Sequence, residues 1–299
     1  MKTYNLDPNF SIVMRGGCNA KCQFCFNKNK VGKEAVTTQQ YTSRLEHTLD
    51  RLPKHFYQIA ITGNEPMLSP DIDAVLSLLA NKYKHGQFSN ILLTSNGTRL
   101  MEKFNAVKDA VHHINISRHH YDEKENLAIF GGAYKLGDYE LEQVIDRYSA
   151  YGVDVSLNCV INNNTPYDFI MRYVEFANRI GAFAVRFRKE NGDDLTETQA
   201  EKEVDTEYPV IKRWACPVCR TWMRVIKGLD TYWKASTLEP VEVVKPDDRV
   251  YEFVFDTNGE LYLDWGRRYK YDIDANPIED PLKELEDLRT RLAWLEIDN

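Results

Sequence analysis

The sequence predicts an α/β fold: a parallel sheet with crossover helices that closes into a barrel or part of one. Two observations carry this expectation. Strand-like and helix-like stretches alternate along the first two-thirds of the chain, as strands joined in parallel through helices must. A cysteine-rich loop follows the first strand directly, at the strand end where such folds place their chemistry. Strand patterns fall at 10–16, 58–63, 90–96, 113–119, 153–161 and 182–189. Helical patterns separate them at 38–52, 69–84, 100–110, 139–151 and 166–180.

The chain's 299 residues suit one large domain or two modest ones, and 43% apolar and 12% aromatic content excludes disorder or a disulfide-stapled miniprotein. A net charge of −7 argues against clamping bare duplex DNA, which needs a cationic surface. No run of residues has the length and apolarity of a membrane span, and the first ten lack the apolar core of a secretory signal. The expectation is a cytoplasmic protein whose six cysteines are reduced and available for metal.

Cys18, Cys22 and Cys25 stand in the spacing C-x3-C-x2-C. Three thiols on one short loop suit a soft metal centre better than disulfides, which would leave one thiol over. Zinc sites that stabilise folds want a fourth ligand, and no other Cys or His lies nearby in sequence. A three-thiolate loop fits a [4Fe–4S] cube with one iron left for an exogenous ligand. With Phe24 before the last cysteine, the loop resembles the radical S-adenosylmethionine (SAM) superfamily signature. The resemblance covers residues 11–190 and implies a partial (βα)6 TIM-type barrel. It also implies that the open iron chelates SAM, whose reductive cleavage yields a 5′-deoxyadenosyl radical that abstracts hydrogen from substrate. Such clusters are reducing enough for this step.

Other motifs fall at successive strand ends. Thr62-Gly63-Asn64-Glu65-Pro66 is similar to the family's Gly-Gly-Glu-Pro segment, which meets the SAM amino group. Asn replaces the second glycine, a residue that tolerates positive φ. Thr94-Ser95-Asn96-Gly97 matches the family's turn after the third strand. Residue alternation adds an inward set. In 153–161 the apolar Val153, Val155, Leu157, Cys159 and Ile161 face the helices, and Asp154, Ser156 and Asn158 face the pore, with Asn158 toward SAM. Cys159 is therefore read as core packing rather than a cluster ligand. In 182–189, Phe183, Val185 and Phe187 face the helices while Arg186 and Arg188 face the pore. These arginines either pair with carboxylates such as Glu65 or Asp154, or bind an anionic group of SAM or substrate. Asn115, Ser117 and His119 share one face, with Ser117 a candidate SAM contact and His119 a candidate substrate contact or general acid.

Polarity rises over 191–207, which reads as a loop or short solvated helix and divides a core at 1–207 from a C-terminal extension at 208–299. The segments 251–256 and 260–265, split by Thr257-Asn258-Gly259, read as a hairpin. The small α+β extension is similar to the twitch or SPASM extensions of the superfamily, with Cys216 and Cys219 as an auxiliary metal candidate. The hairpin lacks the cysteine such extensions often carry; Asp264 or Trp265 stands there. Trp214, Trp222, Trp233 and Trp265 read as packing, and a leucine-spaced helix over 281–295 covers the hairpin.

The functional expectation is a radical SAM enzyme served by a reductant such as flavodoxin or ferredoxin. Its substrate is a nucleotide or other anionic small molecule, or a peptide side chain. The string around the cysteines is also similar to that of viperin-like nucleotide dehydratases. Modification of a base within nucleic acid and a zinc-stabilised binding protein are the alternatives. Zinc without acid-labile sulfide would mark the last.

Overall fold

The computed structural model describes residues 4–25, 36–53, 56–190, 198–213, 221–234 and 250–277. Cys216, Cys219, Trp214 and the helix expected over 281–295 lie outside the described residues. The expected alternation appears as β1 (Tyr4–Val13), α1 (Thr38–Asp50), β2 (Phe56–Thr62), α2 (Ile72–Lys84), β3 (Phe88–Ser95), α3 (Phe104–Ala110) and β4 (His113–Ser117). It continues with α4 (Glu123–Phe130), α5 (Asp138–Ser149), β5 (Asp154–Ile161), α6 (Tyr167–Arg179) and β6 (Ala184–Lys189). Beyond these lie α7 (Gln199–Glu207), β7 (Lys212–Arg213), β8 (Trp222–Ile226), β9 (Leu229–Lys234), β10 (Val250–Phe255) and β11 (Leu261–Tyr262).

Among the described residues eleven strands join one sheet in the order β11-β10-β1-β2-β3-β4-β5-β6-β9-β8-β7. The run from β10 through β1 to β6 and on to β9 is parallel throughout. Strands after residue 208 therefore widen the sheet at both edges. The expected hairpin forms as β10 and β11, and a second one joins β8 to β9. Its turn residues Lys227 and Gly228 have φ of +50° and +82°, the left-handed pair that a two-residue hairpin loop requires.

Local chemistry sets the helix ends. Thr37 and Gln40 form a capping box at α1, and Thr198 and Glu201 form another at α7, which resolves the polar 191–207 stretch into a short capped helix in its second half. Helix α6 buries the stripe Ile170, Met171, Tyr173, Val174, Phe176 and Ala177. Helix α4, absent from the sequence reading, is eight residues long and starts at an Asp122 cap.

The two faces of the sheet separate as alternation predicts. Ile114, Ile116, Val155, Leu157, Cys159, Val185 and Phe187 join the helix-facing hydrophobic core. Asn115, Ser156 and Asn158, of opposite parity, are also buried and face inward. Phe183 departs from its expected place. It precedes β6 by one residue, is 50% exposed, and lays its ring edge-on to His113 at 5.8 Å.

Candidate active site

The cysteine loop leaves β1 at its carboxyl end, and four features tie it down. At its base Arg15 grips the fully buried Asp71 through two 2.6 Å contacts, a bidentate pair. The Tyr41 hydroxyl donates to the Val13 carbonyl at 2.9 Å. Farther out, the Lys21 N–H donates to the Phe130 carbonyl at 2.6 Å and the Ala133 N–H to the Asn19 carbonyl at 2.8 Å. Gly132 (φ +63°) permits this approach, since a Cβ there would stand 2.7 Å from the Asn19 oxygen. Sequence reading missed this docking segment; the Gly131-Gly132 pair was its available signal.

Around the loop lie the ends of β2 and β3. Gly63 and Asn64 take positive φ (+82° and +48°), so the turn survives the Asn substitution, and Asn64 Nδ2 donates to the Met14 carbonyl at 2.9 Å. Glu65 is fully buried. Its carboxylate accepts from Ser95 Oγ at 2.7 Å, the Asn96 N–H at 2.6 Å and the Met67 N–H at 3.1 Å. Burial pushes its pKa up against these bonds. About one of a carboxylate's four lone-pair sites remains for an incoming cation. Asn96 Nδ2 donates to Asn19 Oδ1 at 2.7 Å and lies 3.9 Å from Cys18 Sγ, so the third strand end touches the cysteine loop itself.

Cys18, Cys22 and Cys25 form no disulfide, Cys18 being exposed and the others half-buried. The Cys25 N–H donates to the Cys22 carbonyl at 3.3 Å. Among the described residues no three Cys, His, Asp or Glu side chains converge on a single ion position. A cubane makes a different demand, because each thiolate binds its own iron. Three unbridged, solvent-reachable thiols on one anchored loop meet that demand.

The inward row of β4, β5, β6 and β9 aligns Ser117, Asn158, Arg186 and Tyr232 in register. The expected cofactor and substrate residues thus lie side by side. Arg188 sits one inward position farther along β6, opposite Lys234 of β9. Arg186 pairs with neither Glu65 nor Asp154; it stacks over the Tyr232 ring at 4.6 Å, with one guanidinium nitrogen 3.5 Å from His113 Nε2. Burial lowers its pKa.

His119 lies two residues past the end of β4. Its ring is wedged between Phe24, edge-on at 4.7 Å, and Phe130, stacked at 4.9 Å. Nδ1 accepts from the Val160 N–H at 3.2 Å, which puts the proton on Nε2. Burial drives its pKa down to about 3, which keeps the ring neutral in this arrangement. Cys159 is fully buried, its Sγ 3.6 Å from the His119 carbonyl, as a core residue.

A family model described as the Radical SAM superfamily matches residues 12–177. The chain belongs to the radical SAM superfamily. This family uses a [4Fe–4S] cluster and SAM. The chain is 27% identical over 175 residues to GTP 3',8-cyclase of Aquifex aeolicus, covering 57% of this chain and 52% of that protein. It is 24% identical over 211 residues to GTP 3',8-cyclase of Aliarcobacter butzleri, covering 65% and 61%. The chain thus spans about half of the length of these curated relatives, or somewhat more. SuiB of Streptococcus suis bound to S-adenosylmethionine superposes with a TM-score of 0.59 at 13% identity, over 92% of this chain and 64% of SuiB, which supports the partial-barrel fold. Among the described residues, no helix is long and apolar enough to cross a membrane.

Two outcomes follow from this geometry. Gly132→Ala forces the docking segment off Asn19, so the reconstituted radical SAM loop should release iron to a chelator several-fold faster than wild type. An unchanged release rate would show that the contact does not hold the loop. The second outcome concerns pH. Burial lowers His113 to about 4 and His119 to about 3 from an ordinary 6.5, so both rings stay neutral when folded and take up protons on unfolding. The stability tied to them is complete above pH ~6.5 and is lost as pH falls below it, by roughly 2 kcal/mol per ring by pH ~5. Urea melts should show this decline, and His113→Gln should remove about half of it.

Proposed function

We propose that this chain is a radical SAM enzyme whose cluster is held by Cys18, Cys22 and Cys25. The observation that carries the reading is the meeting of the anchored three-thiol loop with the β2 and β3 ends, where Asn96 reaches both Asn19 and Cys18 Sγ. Gly63, Asn64, Glu65 and Asn96 form the wall beside the loop, and Ser117 and Asn158 extend it along the inner face; these are the residues proposed to bind SAM. When bound and reduced, the cluster supplies the electron that cleaves SAM to a 5′-deoxyadenosyl radical. Glu65 keeps the β2 turn in place and presents negative charge toward the SAM ammonium. Phe24, backed by His119, fixes the last cysteine's turn.

Abstraction of hydrogen from a substrate on the inner face completes the reading. The inward Arg186 and Arg188 favour a nucleotide or other anionic small molecule over a peptide side chain, and the matched relatives named for GTP agree with that preference. A small reducing protein such as flavodoxin or ferredoxin would deliver the electron, in a cytoplasm that keeps the thiols reduced. The extension at 208–299 would complete the substrate chamber beside the core at 1–207.

Anaerobic reconstitution with iron and sulfide, followed by SAM and dithionite, tests the reading. Wild type should release 5′-deoxyadenosine, and Cys22→Ala should lose at least about a hundredfold of that rate, a barrier change of about 2.7 kcal/mol. Wild-type protein that takes up no iron, or leaves SAM intact, would overturn the assignment.

A further inference from the structure

Among the described residues the other buried cations have carboxylate partners. Arg118 meets Asp138 at 2.6 Å, Arg224 meets Asp205 at 2.8 Å, and Lys189 meets Glu201 at 3.1 Å. Arg186 is the contrast. Among the described residues its nearest charged neighbours are Arg188 and the ionisable Tyr232, and the nearby carboxylates meet those neighbours instead of the guanidinium: Asp230 lies 3.5 Å from the Tyr232 hydroxyl and Asp154 3.9 Å from His113 Nδ1. Its Nε is buried without a hydrogen-bond partner among the described residues, and so are Ser156 Oγ and Asn158 Oδ1 on the adjoining strand. Ser156 and Asn158 are 0% and 5% exposed. A half-buried guanidinium that no carboxylate touches is costly, and an anion accepting from its unsatisfied Nε, with the Ser156 hydroxyl as a second donor, would offset that cost.

The direction of the side chain separates this partner from SAM. Arg186 leaves β6 in register with Ser117 and Asn158, yet its guanidinium lies against His113, at the start of β4. His113 Nε2 also lies 3.2 Å from Asn115 Oδ1, so the guanidinium sits near the level of Asn115, one inward position below Ser117 or about 7 Å along an extended strand. The head group thus points down the inner face, away from the cysteine loop and from the SAM carboxylate that would bind beside it. The Tyr232 ring, on β9, lies under the guanidinium, so a strand from beyond residue 208 supplies one side of its surroundings.

We infer that Arg186, with Tyr232 and Ser156, forms a substrate-anchoring site for a carboxylate or phosphate set apart from the carbon that loses hydrogen. The substrate is then an elongated anion, held by its charged end toward the amino ends of the strands while the reacting carbon faces the SAM site. This inference deepens the radical SAM reading and rests on it for the word substrate; the anion site itself does not depend on the cluster.

Calorimetric titration of the reconstituted protein, with unreduced SAM present, tests the site using pyrophosphate and glutarate as probes. At least one should bind wild type, and which one binds tells phosphate from carboxylate. Arg186→Gln should weaken that binding about tenfold or more while shifting SAM affinity less than about threefold. Arg186→Lys, which keeps the charge but loses the fork, should fall between them and guards against a folding defect in the glutamine variant. Failure of both probes to bind wild type would overturn the inference. So would probe affinity unchanged in Arg186→Gln, or a loss confined to SAM affinity, which would give the arginine to the cofactor. Repeating the titration on the iron-free chain separates the two readings. Arg186-dependent anion binding in a protein that takes up no iron would sink the radical SAM assignment and leave the anion site standing.

Discussion

One buried carboxylate holds the ends of β2 and β3 together, and the geometry of the cysteine loop depends on it. Glu65 accepts from Ser95, Asn96 and Met67, and its own N–H donates to the Gly17 carbonyl inside the loop at 3.2 Å. A carboxylate this deeply buried is tolerated only because three donors converge on it. The chain from Glu65 to Asn96 to Asn19 transmits that fixed position to the residues between the first two cysteines. A parallel sheet supplies this arrangement readily, since its carboxyl ends bring consecutive loops to one rim.

The second support comes from the opposite side of the loop. Phe130 and Ala133 dock on it through backbone bonds with Gly132 packed against Asn19 between them, and the rings of Phe24, His119 and Phe130 pack together beside it. The thiols consequently stand on a segment braced from β1, β2, β3 and the α4 end, while their sulfur atoms remain open to ligation. Such bracing holds a reactive centre in place without enclosing it.

Much of this was legible in the sequence because alternation and spacing are local. The two-residue period in 153–161 and 182–189 separated Asn158 and Arg186 from Cys159 and Phe187, and the sheet faces follow that division. The cysteine spacing and the Gly-Asn-Glu-Pro turn located the loop and its neighbour. What the sequence did not yield was tertiary. No local pattern says that β9 pairs with β6 and β10 with β1, so Tyr232 could not be placed beside Arg186. Nor does the residue type of His119 reveal that two aromatic rings would bury it and hold it neutral. Phe183 obeyed the alternation in sequence yet fell just outside the strand, where parity no longer binds a side chain to a face.

The central claim is that three thiolates leave one iron open for SAM. Electron paramagnetic resonance of the reduced, reconstituted protein, with and without SAM, addresses it most directly, alongside iron and sulfide analysis. The account predicts iron and acid-labile sulfide in equal amounts and a cluster signal whose g-values move when SAM is added. Zinc without sulfide, or a cluster signal indifferent to SAM, would contradict it.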